Sequence, residues 1–471
     1  MLNEEALYRA APPWLQTVFM SLHGLRIRRH RYGRRMRLAL DSLLEGERWP
    51  TERLQEWQNR QLRNVVSTAF EKSRYWRDTM SSIGMTPGDF RGISDLRRLP
   101  LLTKETVRDR QADLMTAPPP QPGWLHGHTS GTTGSPLDLW YDRQTAIMNN
   151  AVDTRQKRWA GMGDQDWIGL LLGRVVASPA QVRPPFWRAN YALRQLWFSS
   201  FHLRPENIDG YLAEMRRRGL RFLEGYPSTL FIVAEHLERT GSTLPMSAVF
   251  SSSETLHAVQ RATIEGAFEC KLYDFYGLAE RVIFASECGH GLGKHIAEEY
   301  GFVEIVDHDG KPVPDGELGF LVGTSLHNLA MPMIRYQTSD ISRIRPERCS
   351  CGRTSRLLDN VTTKAEDIVL TLDGRFISPS VLTHPFKPFH QILKSQVIQE
   401  ARDRIIVKIV PSADFTPAHQ AGLIAGLAER LGGGVHITVE LVDDIPRERS
   451  GKYRWVISKV HHDCKINWDA D

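Results

Sequence analysis

Between residues 167 and 275, apolar runs of strand length alternate with longer helical patterns, and this alternation constrains the fold more than any other feature of the chain. Residues 167–177 form a short apolar run suited to a buried strand. Residues 206–218 and 228–240 read as helices that flank a strand around 221–224. Residues 249–250 end a further strand, a helix is expected near 255–267, and a strand at 271–275. Strand–helix alternation of this kind predicts an α/β fold with a mostly parallel sheet covered by helices. In such sheets ligands bind beyond the carboxyl ends of the strands.

Either side of this region the patterns differ. Residues 51–72 predict an amphipathic helix capped by Thr51, with Leu54, Trp57, Leu62, Val65, Val66 and Ala69 on one face. Around 300–345 the signals are short strands and turns, such as Asp309-Gly310 and Asp315-Gly316. After about 360 a second unit begins. Ile405, Val407 and Ile409 mark a strand, 416–431 a helix ended by the glycines at 432–434, and 435–442 another strand.

Composition excludes several classes. The chain has 471 residues, 41% hydrophobic and 24% charged, which is ordinary for a soluble globular protein. A net charge of +5 does not call for nucleic acid. No window reaches the roughly 18 apolar residues of a membrane span. Glu4, Glu5, Pro12 and Pro13 do not fit a secretory signal, so a cytoplasmic protein is expected. The charge is uneven, however. Arg26, Arg28, Arg29, Arg31, Arg34, Arg35 and Arg37 follow the apolar residues Trp14, Leu15, Val18, Phe19, Met20 and Leu22. Such a stretch can rest on an anionic membrane surface. Its plainer reading is a solvated arginine face on a helix packed against the body.

The most chemical stretch is Thr129-Ser130-Gly131-Thr132-Thr133-Gly134-Ser135-Pro136, which predicts a loop between two strands. Its glycines let the backbone approach a ligand, and its hydroxyls and N–H groups can wrap an anion such as phosphate. It is not the common P-loop, since no Gly-Lys-Ser/Thr follows at the required spacing. Three later segments carry further groups. Tyr273-Asp274-Phe275-Tyr276-Gly277-Leu278-Ala279-Glu280 ends a strand with an aromatic ring that can stack on a base and a carboxylate that can hold Mg²⁺. Tyr336-Gln337-Thr338-Ser339-Asp340 offers a carboxylate suited to ribose hydroxyls. Arg447-Glu448-Arg449-Ser450-Gly451-Lys452 carries a lysine on a flexible loop, able to neutralise developing charge. Singly, each has a structural reading: a core tyrosine, a surface carboxylate, a solvated basic loop.

Taken in order, these segments resemble the adenylate-forming superfamily of acyl-CoA synthetases, peptide-synthetase adenylation domains and luciferase, over about 120–455. Within it the chain is most similar to the phenylacetate–CoA ligase branch. Leu137 follows Pro136 where most other branches have lysine, Ala330-Met331-Pro332-Met333-Ile334-Arg335-Tyr336 precedes the Thr-Ser-Asp motif, and Cys349-Ser350-Cys351-Gly352-Arg353 follows it. Gly225-Tyr226-Pro227-Ser228 and the N-terminal region resemble relatives found with surface-polysaccharide genes.

The resemblance implies a large N-terminal unit, 1–363, with helix-covered, mostly parallel sheets and a small β-barrel-like part, and a small mobile α+β unit, 364–471. It implies that a carboxylic acid reacts with ATP to give an acyl-adenylate and passes to a thiol, with CoA the expected acceptor. An amine or a sugar hydroxyl is the alternative acceptor, and a nucleotide-binding protein without turnover the alternative class. Ser130, Gly131, Thr132, Thr133 and Gly134 would cradle the β- and γ-phosphates, with Thr132 counted among the catalytic groups. Ser252, Ser253 and Glu254 would line the adenine pocket, with Tyr276 and Gly277 against the ring. Glu280 would hold Mg²⁺, Asp340 the ribose, and Lys452 would bridge carboxylate, ribose and α-phosphate. Lys364-Ala365-Glu366-Asp367 matches the family's hinge segment, about which the small unit would turn at Glu366; Lys364 stands where the family has an arginine, keeping the charge but losing the planar fork. Thr363 and Ser339 replace family glycines.

Five cysteines without a signal argue against a disulfide framework. Cys288, His295, Cys349 and Cys351 make a plausible tetrahedral zinc set, with His290 the competing ligand and reduced, unliganded thiols the plain alternative. The terminal His461-His462-Asp463-Cys464 reads as a solvated tail.

Overall fold

The computed structural model describes residues 7–460 apart from 9, 130–136, 179, 308, 362–368, 378, 390 and 446–453, and apart from the side chains of 339, 376 and 380. Toward the N-terminus lie helices α1 (Pro13–Arg31), α2 (Arg34–Gly46) and α3 (Thr51–Lys72). On α3 the expected face is buried through Leu54, Leu62, Val65, Val66 and Ala69, with Trp57 packed beside it. Thr51 does not cap this helix. Pro50, extended at ψ 149°, takes the N-cap place, and Thr51 becomes the first helical residue. Proline disfavours the helical conformation in the residue before it, so the helix does not extend back past Pro50.

Helix α4 (Lys104–Asp109) is capped by Thr103, whose hydroxyl accepts from the Thr106 amide at 3.2 Å. Strands β1 (Leu125–His128) and β2 (Asp138–Tyr141) follow as an antiparallel hairpin. The Thr129 amide donates to the Leu137 carbonyl at 3.1 Å, and the Leu137 amide to the Thr129 hydroxyl at 2.8 Å. The glycine-rich loop, 130–136, therefore leaves a clasped hairpin, while its own residues lie outside the described ones.

After α5 (Arg143–Trp159) come β3 (Ile168–Leu171), β4 (Trp187–Asn190), β5 (Gln195–Phe198), α6 (Pro205–Arg217), β6 (Phe222–Gly225), α7 (Pro227–Arg239), β7 (Ala248–Ser252), α8 (Ala258–Phe268) and β8 (Leu272–Gly277). Strands β5, β3, β6, β7 and β8 lie in that order and run parallel. Along β6, Phe222 enters the core on one face and Leu223 the core on the other. A strand covered on both faces reads as a continuous apolar run, as the sequence does here.

The sheet grows to ten strands by antiparallel additions: β4 at one edge, and β9 (Phe284–Glu287), β10 (Lys294–Ile296) and later strands at the other. Where a small β-barrel-like part is expected, β11 (Gly301–Val306), β12 (Gly319–Ser325) and β13 (Tyr336–Ser342) form an open three-stranded antiparallel sheet. Strands β14 (Ile344–Arg345) and β15 (Leu357–Leu358) return to the large sheet and pair with each other, β15 also with β10.

The C-terminal part holds β16 (Val369–Leu370), β17 (Phe376–Ile377), β18 (Ile392–Ala401), β19 (Arg404–Pro411), α9 (Pro417–Leu431), β20 (His436–Leu441) and β21 (Val456–Ser458). Its sheet order is β20-β19-β18-β21. Helix α9 ends at Gly432, whose φ of 94° a side chain would strain. Val397, Val407, Leu423, Leu427 and Trp455 form the core of this part, and Phe201 of the body packs into it. Arg375 joins it to the body, donating to the Phe201 carbonyl at 2.9 Å. Among the described residues no helix is long and apolar enough to cross a membrane.

Candidate active site

Because β3, β6, β7 and β8 are parallel, their carboxyl ends open on one side, and a cavity of about 890 Å³ lies there. Strand β7 delivers Ser252, then Ser253 and Glu254. Strand β8 delivers Tyr276 and Gly277, and the turn after it Glu280. Strand β13 delivers Asp340. All seven line the cavity. Ser253 has φ 71°, a conformation that side-chain-bearing residues rarely adopt, and it turns the chain at the strand end. Glu254 then accepts from the Ser228 amide at 3.1 Å, one of the unpaired N–H groups opening α7.

Two tyrosine–carboxylate bonds tie the cavity walls together. Tyr276 donates to Asp340 Oδ2 at 2.6 Å, and Tyr336 donates to Glu280 Oε1 at 2.8 Å. Burial, reinforced by the neighbouring carboxylates, holds both phenols well above their ordinary range, so both remain donors. Burial also raises the Glu280 carboxyl, against the opposing hydrogen bond from Tyr336.

The sequence reading missed Lys104. The Leu102 amide donates to the Arg335 carbonyl at 2.9 Å and the Gln337 amide to the Leu102 carbonyl at 3.0 Å, clamping this segment to the start of β13. Lys104, the first residue of α4, therefore lines the cavity beside Glu280. Burial pushes its ammonium down to about 8, with Glu280 opposing the fall. Its only local signal is the capping Thr103; the clamp that places it, from Leu102 to Arg335, spans more than two hundred residues.

The remaining expected residues, Ser130, Gly131, Thr132, Thr133, Gly134, Lys364 and Lys452, lie outside the described residues, as do Thr363, Glu366 and the 461–464 cluster. Thr129, Val361 and Ile445, the last described residues before the three segments, all line the cavity.

A second cluster lies apart. The ligand atoms of Cys288, His295, Cys349 and Cys351 lie within 4.8 Å of one another. Cys288 Sγ is 3.6 Å from Cys349 Sγ, and Cys351 Sγ is 3.3 Å from His295 Nε2. His295 Nδ1 sits 3.0 Å from the Ser355 hydroxyl, which fixes the ring and leaves Nε2 facing the thiols. Burial, then the charge of Arg353, lowers the His295 imidazole to about 4, so it is neutral and able to ligate. Burial pushes the Cys351 thiol up, but hydrogen bonds from Arg353 outweigh it and leave the thiol below its usual value. His290, the competing candidate, turns instead to Ser350 Oγ at 3.0 Å. The antiparallel pairing of His295 with Leu357 decides between them, because it carries His295 to the Cys-Ser-Cys loop.

Strand ends, cavity and clasped hairpin define a chain with the fold of the adenylate-forming CoA ligases. It aligns with 2-hydroxyisobutyryl-CoA ligase, solved with 2-HIB-AMP and CoA in the thioesterification state, at a TM-score of 0.58 and 21% identity, covering 88% of this chain and 91% of that one. With an open conformation of that ligase the TM-score is 0.55 at 20% identity, over 87% and 93%. By sequence the chain is similar to phenylacetate–coenzyme A ligases and to CapK. It is 29% identical to the phenylacetate–coenzyme A ligase of Escherichia coli (strain K12) over 386 residues, 78% of this chain and 85% of that protein. It is 22% identical to Protein CapK of Staphylococcus aureus over 469 residues, 98% of this chain and all of that one. Residues 369–459 match the CapK C-terminal domain family.

Proposed function

We propose that this protein is an ATP-dependent acid–thiol ligase that forms an acyl-adenylate and passes the acyl group to CoA. The observation that carries this is one cavity at the strand ends lined by Tyr276, Glu280 and Asp340, onto which the flanks of the three segments 130–136, 362–368 and 446–453 also open. In this reading Ser130, Gly131, Thr132, Thr133 and Gly134 hold phosphates, and Lys104 supplies a cation that the loop lacks at Leu137. Tyr276 holds the Asp340 carboxylate in place for the ribose. Ser252, Ser253, Glu254 and Gly277 shape the purine pocket. Glu280, supported by Tyr336, is the carboxylate for Mg²⁺, which would offset charge on the pyrophosphate leaving group. The C-terminal part turns at Lys364 and Glu366 to bring in Lys452.

The acid is polar. Glu224, Asp274 and Lys294 line the cavity, all buried. Lys157 Nζ is shared between Glu224 at 2.8 Å and Asp153 at 2.9 Å, and Lys294 Nζ meets Asp274 at 3.0 Å. A plain aryl or alkyl tail placed against such groups would strip their water and return no hydrogen bonds. An acid carrying hydroxyl or amino substituents fits. A pyrophosphate-release screen over aryl, fatty, hydroxy and amino acids, with and without CoA, tests both points. Release with hydroxy or amino acids, and a CoA thioester among the products, is expected. Preference for phenylacetate or fatty acids would refute the polar pocket, and no release with any acid would refute the ligase.

A second reading keeps the adenylate and changes the acceptor to an amine or sugar hydroxyl. Trapping the product separates thioester from amide or ester. We further propose that Cys288, His295, Cys349 and Cys351 hold a structural Zn²⁺. Three thiols and a neutral, oriented imidazole suit that ion.

A further inference from the structure

The first helix shows solvent the residues a packed helix would hide. Leu7, Trp14, Val18, Leu22 and Leu25 are exposed at 53, 68, 43, 58 and 49%. On α1 the last four are spaced by four, four and three residues, which puts them on one helical stripe, and Arg29 continues it. The opposite face is fixed in place. Gln16 and Gly24 are buried, and at the edge of the stripe, one turn before Leu25, the Ser21 hydroxyl accepts from the Tyr191 amide at 3.2 Å. A Cβ on Gly24 would lie 2.2 Å from Asn190 Oδ1, so the helix meets β4 as closely as a glycine allows. The apolar stripe is thus turned outward by a specific seat.

Charge selects the partner. Residues 10–40 contain Arg26, Arg28, Arg29, Arg31, Arg34, Arg35 and Arg37 and no aspartate or glutamate. Arg26, Arg28 and Arg29 are exposed at the end of α1, and Arg34, Arg35 and Arg37 at the start of α2. A tryptophan-led apolar stripe running into an acid-free arginine cluster is the pattern of a helix lying in the headgroup region of an anionic bilayer. We propose that α1 is a peripheral membrane-docking helix, with Trp14, Val18, Leu22 and Leu25 entering the lipid interface and the arginines contacting anionic headgroups. It does not depend on the proposed enzymatic activity.

The test is co-sedimentation of the full chain with vesicles of phosphatidylcholine alone and of phosphatidylcholine mixed with phosphatidylglycerol, at low and high salt. Binding at least tenfold stronger to the anionic vesicles, weakened but not abolished by salt, is expected. Leu22→Ser with Leu25→Ser should lower it about tenfold, and so should Arg26→Gln with Arg28→Gln and Arg29→Gln. These residues are exposed, so both variants should keep the parent's circular dichroism and melting temperature. Equal binding to both vesicle types would overturn the proposal, as would no binding to either. A dimer in light scattering that Leu22→Ser dissolves, without vesicle binding, would assign the stripe to a second copy of the chain and also overturn it.

Discussion

Lys104 is held in the cavity at a cost to the fold, and removing its charge should expose that cost. Its ammonium titrates at about 8 instead of 10.5. At about 1.4 kcal/mol per unit this gap is worth about 3 kcal/mol. The side chain keeps some water contact, so about 2 kcal/mol is the expected net effect. The sign follows from linkage. A depressed folded-state value means that the unfolded chain binds the proton more tightly, so the charge destabilises the fold below about pH 8. The penalty fades as pH rises towards 10.5. Lys104→Met should therefore melt higher than the parent at pH 7. With about 2.1 cal/mol/K per residue over 471 residues, the shift is about 2 °C. Most of it should be gone by pH 10. The same variant should lose acid-dependent pyrophosphate release about a hundredfold, the scale of removing one positioned charge from a transition state. Thermal melts at pH 7 and 10, beside the activity assay, check this. A variant that melts lower at pH 7, or a gap unchanged at pH 10, would refute the burial argument; full activity would refute the role.

Two further outcomes follow from the charged groups. The purified protein should carry one equivalent of zinc by elemental analysis, lost in Cys349→Ser with Cys351→Ser, and chelation should lower the melting temperature. Glu224→Gln should shift acid preference by tenfold or more among substituted acids while leaving the KM for ATP unchanged, which steady-state kinetics over the acid panel measures.

Much of this was legible in the chain. The parallel sheet showed because residues such as Phe222 and Leu223 face two different cores, which leaves a continuous apolar run between helices of clear period. Tyr276, Glu280 and Asp340 showed because strand ends and motif order mark them, while Ser252 and Glu254 came only with the family resemblance. Lys104 did not show, since the bridge from Leu102 to Tyr336 that positions it is a pairing between distant segments. The choice of His295 over His290 likewise rests on strand register. On α1 the residue types were visible, but which face turned outward was set by the Gly24 contact with Asn190.

The central claim is that this cavity makes an acyl-adenylate, and exchange of labelled pyrophosphate into ATP reads that step directly. With a hydroxy or amino acid that supports pyrophosphate release, exchange should require the acid, and Lys452→Ala should abolish it without lowering the melting temperature. Undiminished exchange in that variant would contradict the role of Lys452. Tight ATP binding with no exchange across the acid panel would contradict the account as a whole.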